Sequence, residues 1–393
     1  MTRALRVLHI ASGDLWAGAE VQAFTLMSHL AQMPATQIAA VLMNDGRLAE
    51  MLRGVAIPTY ILDEQTNHSL GLFIKLRGVL RSWPADLIHT HRQKENILGS
   101  LANRTCWNVP SVRTVHGADE LPGATGWRGI RRRILARLDH WCGRALQQRI
   151  IAVTPALSAQ MQEVFRSAQI ALIENGVDFA KVVAEKGIAE YRLREPDATH
   201  IGIAGRLVEV KRVDLFIETA ALLLQEHPER NWRFHIFGDG PIRLSLEQLS
   251  DRLHAADKVV FHGQRQDIAT CLGGLDALVI CSDHEGMPMV SLEAAVLGVP
   301  IVAHAVGGLP EVVSEAFLVR RHDACGYRDA ILRALDPNAR SVALRWAGEI
   351  ATRFSAQRNA QKVRALYEEL VAEGNGTRSR RHAAAEQRDV IRS

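Results

Sequence analysis

Arg206 and Lys211 stand five residues apart in GRLVEVKRVDLFIETA, directly after the apolar run IGIAG. A guanidinium presents a planar fork of donors and an ammonium a compact charge, so a pair held at a strand-to-helix junction can bind a diphosphate. Taken singly, the two read equally well as solvated surface cations. Further along, DHEGMPMVSLEAAVLGVPIVA puts Glu285 in a loop ending the run ALVICS, Pro288 at the expected first position of a helix, and Glu293 two turns into it. A carboxylate accepts two hydrogen bonds from a ribose diol, and the free N–H groups of a helix start can face a phosphate. Two glutamates at this spacing arise often by chance. The strand before them, Ser282, Gly286 and Pro288 make the context specific.

The first glycine turn, HIASGDLWAGAEVQAF, has Gly13 and Gly18 at the spacing of a phosphate loop. Ala19 and Glu20 stand where such a loop needs Lys and a hydroxyl for magnesium, so the phosphate ligands must come from elsewhere. No G-x-G-x-x-G follows the first strand, which disfavours a plain dinucleotide-binding protein. SVRTVHG sets His116 at the carboxyl end of an apolar run. LIHTHRQ sets His89 and His91 at another. The HxH pair suggests zinc, but no third ligand is near in sequence, and a lining of the acceptor side is the preferred reading.

These residues need a scaffold of parallel strands. LRVLHI, QIAAVLM, VAIPTYIL, ADLIHTH, PSVRTVHG and RIIAVTP alternate with helical runs. After NGVD and a polar stretch of little pattern, the rhythm restarts with THIGIAGRL, WRFHIFGDG, KVVFHG, LDALVICS and VPIVAHAVGG. A chain of 393 residues, 47% of them apolar, has length and core for two such α/β domains. The expected limits are 1–180 for the first domain, 195–350 for the second, 351–373 for a C-terminal helix, and 374–393 for a polar, Arg-rich tail without regular structure. Ligands of open α/β sheets bind beyond the carboxyl ends of the strands. Two facing domains then share one cleft, with the first glycine turn on one wall and the paired cations on the other.

The net charge of +4 is too small to make nucleic acid the main partner. Five cysteines without a CxxC pair read as reduced thiols. The start of the chain runs straight into strand and turn, with no apolar leader, and no apolar run nears the ~20 residues that span a bilayer. The expectation is a cytoplasmic protein, with peripheral attachment to the inner face of the membrane left open.

GRLVEVKRVDLFIETA, FGDGP, LDALVICSDHEGMPMVSLEAAVLGVPIVAHAVGGLPEVV and NGVD together resemble the GT-B family-four retaining glycosyltransferases, also called glycosyl transferases group 1. The likeness runs from the first glycine turn to about Leu370. It implies two Rossmann-like domains facing across a cleft, with the C-terminal helix returning to the first. It also implies roles. Arg206 and Lys211 hold the donor diphosphate beside Gly205. Glu293 holds the nucleotide ribose, and Glu285 with the backbone at Gly286 and Met287 holds the donor sugar hydroxyls. Gly18 lets the backbone approach the phosphate and sugar. His116 lies near the transferring sugar. The family often follows this histidine directly with an acid, whereas Gly117 and Ala118 precede Asp119 and Glu120 here, so Asp119 is an acceptor-side candidate together with His91. Neither a metal nor another cofactor is expected, consistent with the lack of a DxD motif.

The implied activity is metal-independent transfer of a sugar, with retention, from a nucleotide donor to a hydroxyl. A UDP-sugar is favoured over a GDP-sugar, and the acceptor is a saccharide or lipid-linked molecule of cell-surface polysaccharide or glycolipid synthesis. The alternatives are a nucleotide-sugar epimerase or hydrolase of the same fold, and a non-catalytic sugar-nucleotide sensor. GWRGIRRRILARLDHWCGRALQQR bears on the acceptor. It holds seven arginines and one acid, Asp139, and Trp127, Ile130, Ile134, Leu138, Trp141 and Ala145 recur at helical spacing. The leading expectation packs that stripe on the sheet and solvates the arginines. The alternative lays residues 126–149 on an anionic membrane.

Overall fold

In the computed structural model of the protein, the backbone is described for residues 3–392 except 14, 15, 17, 118–126 and 188. Side chains are described for the same residues except 127–132, 168, 193 and 375–392. The chain divides into two compact units, residues 1–176 with 357–393, and residues 177–356.

The first unit runs β1 (Leu5–Ala11), α1 (Gly18–Ala31), β2 (Thr36–Leu42), α2 (Arg47–Gly54), β3 (Thr59–Ile61), α3 (Ser69–Ser82), β4 (Leu87–His91), α4 (Gln93–Thr105), β5 (Ser111–Val115), α5 (Trp127–Ala145), β6 (Arg149–Ala152), α6 (Pro155–Gln162) and β7 (Ile170–Leu172). Its sheet is parallel, in the order β3-β2-β1-β4-β5-β6-β7. β4 and β5 are buried along their whole length, as strands covered on both faces must be.

The second unit runs α7 (Phe179–Ala184), α8 (Glu190–Arg194), β8 (Thr199–Ala204), α9 (Val213–Glu226), β9 (Trp232–Phe237), α10 (Arg243–Arg252), β10 (Val259–Gly263), α11 (Ile268–Gly273), β11 (Ala277–Ile280), α12 (Met289–Val296), β12 (Ile301–His304), β13 (Leu318–Val319), α13 (Ala324–Ala334) and α14 (Ala339–Arg353). Its parallel sheet has the order β10-β9-β8-β11-β12-β13. Both orders reverse direction between the first and fourth strands of the unit, and a Rossmann-like sheet binds its ligand at that switch point.

Four features depart from the sequence expectation. β7 and β13 are edge strands of three and two residues, too short to carry a period. The polar stretch after NGVD contains α7 and α8. The C-terminal helical run breaks at Phe354, whose carbonyl accepts the Val177 amide at 2.8 Å. Beyond that break, α15 (Ala356–Arg392) continues through the tail expected to lack structure. Ala, Arg, Glu and Gln there are strong helix formers, against a cost of about 1 kcal/mol for each glycine. The first turns of α15 belong to the first unit. Val363, Leu366, Tyr367 and Leu370 complete the cluster of Val7, Leu26, Met27 and Leu30.

Candidate active site

The second unit places its chemistry at the switch point between β8 and β11. The loop after β8 carries Gly205 and Arg206, a 3-10 turn Glu209–Lys211 carries the lysine ahead of α9, and the loop after β11 carries Ser282 and Glu285. The Lys211 ammonium lies 2.5 Å from Glu285 Oε1, and the Ser282 hydroxyl donates to the same oxygen at 2.5 Å. The Glu285 side chain keeps 8% of its exposure and Lys211 keeps 29%. Gly205, Arg206, Lys211, Ser282, Glu285 and Pro288 line one pocket. Arg206 is exposed, and its guanidinium makes no hydrogen bond or ion pair among the described residues. The site therefore presents one unspent fork of donors beside a lysine whose charge is held by a carboxylate.

Two glycines let these loops close on each other. Gly238 of FGDGP has φ +139, and a side-chain carbon there would sit 1.8 Å from the Gly205 carbonyl oxygen. Gly307 of VGG has φ +57, and its added carbon would fall 1.9 Å from the Glu285 carbonyl oxygen. No other residue type fits either position. The Gly308 amide then donates to Gly286 O at 2.7 Å, fixing the loop that carries Glu285.

Pro288 caps α12 rather than opening it, so Glu293 is the fifth helical residue, nearer the start than predicted. Burial pushes the Glu293 carboxyl up to about 7, with the nearby Glu185 charge adding and Lys181 opposing. Its side chain makes no hydrogen bond or ion pair among the described residues. Met287 is buried, at 4% exposure. Arg212 escaped the sequence reading. With φ 48 it caps α9, bonds both oxygens of Asp214 and reaches Asp283, which also accepts from His322 Nε2 at 3.1 Å. Its place beside Lys211 was the available signal.

In the first unit, Gly18 is the exposed first residue of α1, and Gly13 turns the chain with φ +91. Glu20, where a phosphate loop has its hydroxyl, pairs with Arg92. Asp119 lies outside the described residues. The histidines form a cluster. His9 and His89 are register partners on β1 and β4, and His91 lies two residues on, on the same face. His9 Nδ1 is 3.2 Å from His91 Nε2, and His91 Nδ1 is 3.2 Å from His116 Nε2. His89 Nδ1 meets the Tyr367 hydroxyl at 2.5 Å and its Nε2 meets Thr114 Oγ1 at 2.7 Å. Burial lowers all four imidazoles, His91 to about 3 and His9, His89 and His116 well below the usual range.

A third histidine therefore joins the HxH pair, contrary to expectation, and nitrogens of His9, His89 and His91 lie within 4.8 Å of one another. The set fits a metal poorly. An ion on His89 would have to displace Tyr367 or Thr114, and one between His9 and His91 would part a hydrogen-bonded pair.

α5 also departs from the leading expectation. Its buried face is Ala136, Asp139, Cys142 and Gly143, while Ile134 and Trp141 of the apolar stripe stand 58% and 51% exposed. Arg113 donates to Asp139 at 2.7 Å and Asn96 donates to its other oxygen at 2.5 Å. A carboxylate satisfied this way can face the core and turn the stripe outward. Trp127 and Ile130 lie among the side chains not described.

The pattern of Glycosyl transferases group 1 matches residues 198–337 and that of Glycosyltransferase Family 4 matches residues 16–181. A D-inositol 3-phosphate glycosyltransferase of Saccharomonospora viridis is 30% identical over 313 residues, covering 74% of this chain and 72% of the relative. The chain belongs to the family-four, group 1 glycosyltransferases. An Escherichia coli relative, a UDP-Gal:alpha-D-GlcNAc-diphosphoundecaprenol alpha-1,3-galactosyltransferase, is 24% identical over 82% of this chain and 86% of its own length. Among solved structures, Anabaena HepE in complex with UDP and glucose aligns with a TM-score of 0.79 at 21% identity, over 93% of this chain and all of that one. Sucrose-phosphate synthase of Thermosynechococcus elongatus gives 0.78 at 20%, over 94% and 100%. The fold is GT-B, and this glycosyltransferase takes a nucleotide-activated sugar. The group 1 match covers every residue of the β8/β11 pocket, and the family-four match covers Gly18, His89, His91 and His116.

Proposed function

We propose that the protein transfers a hexosyl group from a UDP-sugar to a hydroxyl of a saccharide or lipid-linked acceptor, with retention and without a metal ion, in cell-surface polysaccharide or glycolipid synthesis. The observation that carries this reading is the pocket where Lys211, Glu285 and Ser282 hold one another beside Arg206, whose guanidinium has no partner among the described residues. Without donor, the lysine and glutamate neutralise each other. With donor, Lys211 and Arg206 turn to the diphosphate, Glu285 takes sugar hydroxyls, and Glu293 takes the ribose diol.

The acceptor oxygen approaches the anomeric carbon on the face the diphosphate leaves. The bond to the phosphate oxygen breaks as the bond to the acceptor forms, and the acceptor proton passes to the departing phosphate. The cations and the start of α12 stabilise the negative charge growing there. HepE was solved with UDP and glucose, and the Escherichia coli relative is named for a UDP-sugar, which favours UDP over GDP.

Screening UDP- and GDP-sugars, then lipid-linked acceptors, tests the proposal. Acceptor-dependent product with the donor's anomeric configuration, unchanged in excess EDTA, is expected. Free sugar alone, whatever acceptor is added, would favour the epimerase or hydrolase, and binding without turnover would favour a sensor. Loss of activity on chelation, restored by a divalent ion, would reject the metal-free route.

The acceptor side rests on α5. Ile134, Leu135 and Trp141 are exposed next to the exposed Arg133, Arg137 and Arg144, a pairing suited to an anionic lipid surface at the inner face of the membrane. Among the described residues no helix is long and apolar enough to cross a membrane, so attachment would be peripheral. Each interfacial cation contributes about 1 kcal/mol, screened by salt. Arg133, Arg137 and Arg144 changed together to Glu should abolish sedimentation with phosphatidylglycerol vesicles at low salt and leave donor hydrolysis intact. A wild type that never sediments would remove the membrane and favour a soluble saccharide.

A further inference from the structure

The row of histidines across β1, β4 and the end of β5 does more than fill space. A neutral imidazole has one N–H and one lone pair, so where two rings meet, one donates and the other accepts. His9, His91 and His116 meet end to end at 3.2 Å and 3.2 Å, and burial holds each ring to a single proton. Such a chain has only two registers. In one, His9 donates to His91 and His91 to His116, so His116 accepts at Nε2 and carries its own proton on Nδ1. In the other, every proton moves across its link, His116 Nδ1 is bare, and His9 carries its proton on Nε2.

The inner end decides between them. His9 is fully buried, and its Nε2 has no hydrogen-bond partner among the described residues. An N–H orphaned there is the rarer and costlier fault, since a buried donor almost always finds an acceptor. The register that leaves a bare lone pair at that point is the lower in energy, and it drives the protons outward. His89 stands beside the chain without joining it. Its two nitrogens are taken by Tyr367 and Thr114, and its ring stacks on His91 at 4.4 Å. Of the nearby cations, Arg92 pairs with Glu20 and Arg113 with Asp139.

We propose that His9 and His91 are positioning residues that fix His116 as the Nδ1–H tautomer, so that it offers a hydrogen-bond donor to a sugar or acceptor oxygen. The benefit to transfer rests on the proposed function and on the place beside the transferring sugar that the family resemblance implies for His116, whereas the tautomer itself does not. A donor fixed in advance needs no proton rearrangement when the substrate arrives.

The test is nitrogen-15 NMR of the full-length protein labelled at histidine, with His116 assigned by the signals lost in His116→Gln. The two neutral tautomers give distinct Nδ1 and Nε2 shifts. Nδ1–H at His116 in the wild type is expected, with a shift toward Nε2–H in His91→Asn and a mixture in His9→Leu. A drop of about tenfold in kcat/KM, with donor KM nearly unchanged, should accompany the His91 change. Nε2–H at His116 in the wild type overturns the proposal, and this measurement needs no variant to fold. A tautomer unmoved in both variants overturns it too, as does a stoichiometric metal ion in the purified protein. Full transfer activity in His116→Gln, with the wild-type tautomer as predicted, would instead refute the role of His116 in transfer and leave the chain standing.

Discussion

Replacing Lys211 with Ala separates catalysis from stability, because the structure sets different magnitudes on the two. The ion pair with Glu285 is short, but the lysine side chain keeps 29% of its exposure. Solvent screening therefore holds its contribution to folding well below that of a sealed pair, at about 1 kcal/mol. In a unit of this size that lowers Tm by about 2–4 °C. Glu285 keeps the Ser282 hydroxyl as a donor, which limits the penalty of leaving it without its cation. The catalytic loss is larger. A charge-assisted contact to a leaving phosphate in a water-poor site is worth about 2–4 kcal/mol in the transition state, or about 30- to 1,000-fold in kcat/KM.

Initial rates with UDP-sugar, beside thermal melts of the same preparations, should show a folded and slow enzyme. Arg206→Ala should lose a similar factor with still less effect on the melt, since Arg206 supports no other side chain among the described residues. Lys211→Ala with turnover within threefold of wild type would refute the diphosphate assignment. In the double change with Glu285→Ala, the melt should drop by less than the sum of the single drops, because either one already breaks the pair.

Two further predictions follow from buried titratable groups. Glu293 is pushed up to about 7, and hydrogen bonds from a ribose diol favour its charged form, so nucleotide binding should release protons and tighten as pH rises from 6 to 7. UDP calorimetry in two buffers checks this, and a pH dependence that survives in Glu293→Gln would place the group elsewhere. In the second unit, His200, His235 and His262 form another chain, with links of 2.9 Å and His235 lowered to about 2 by burial and its neighbours. Their folded values lie below the unfolded value of about 6.5, so the unfolded chain binds more protons as pH falls from there. Stability is thus present above about pH 6.5 and should fall below it by up to about 1.4 kcal/mol per pH unit for each such histidine. Urea midpoints between pH 7 and 5 measure the slope, and a flat profile would deny that these rings are held neutral.

How legible each part was depended on how local its cause is. The β8 to α9 junction and the loop from Ser282 into α12 are short strand-turn-helix units, and their glycines, cations and glutamates are neighbours in the chain. Most strands were readable for the same reason. α5 was misread because its hydrophobic period marks the outward face. The buried side is carried by Asp139, and an apolar count cannot know that Arg113 and Asn96 wait to satisfy it. His9 was invisible as a neighbour of His91 because 82 positions separate them and only the order β1-β4 brings them together.

The two units share one topology and use its switch point in opposite ways. After β8, Arg206 has no partner among the described residues and Lys211 is paired with Glu285, the carboxylate proposed to take the donor sugar, so positive charge is available to an anion. After β1 and β4 the nearest arginine, Arg92, is spent on Glu20, and the ring nitrogens behind it are paired along a neutral chain. A nucleoside diphosphate brought to that second point would find little charge to meet it. What distinguishes the two switch points is the guanidinium beside each turn: Arg92 is paired with Glu20, which keeps 3% of its exposure and sits on α1, whereas Arg206 makes no ion pair among the described residues. Replacing Glu20 with Gln would therefore remove the charge paired with Arg92 without recreating a phosphate loop, because the missing lysine is a matter of sequence and the missing charge a matter of packing.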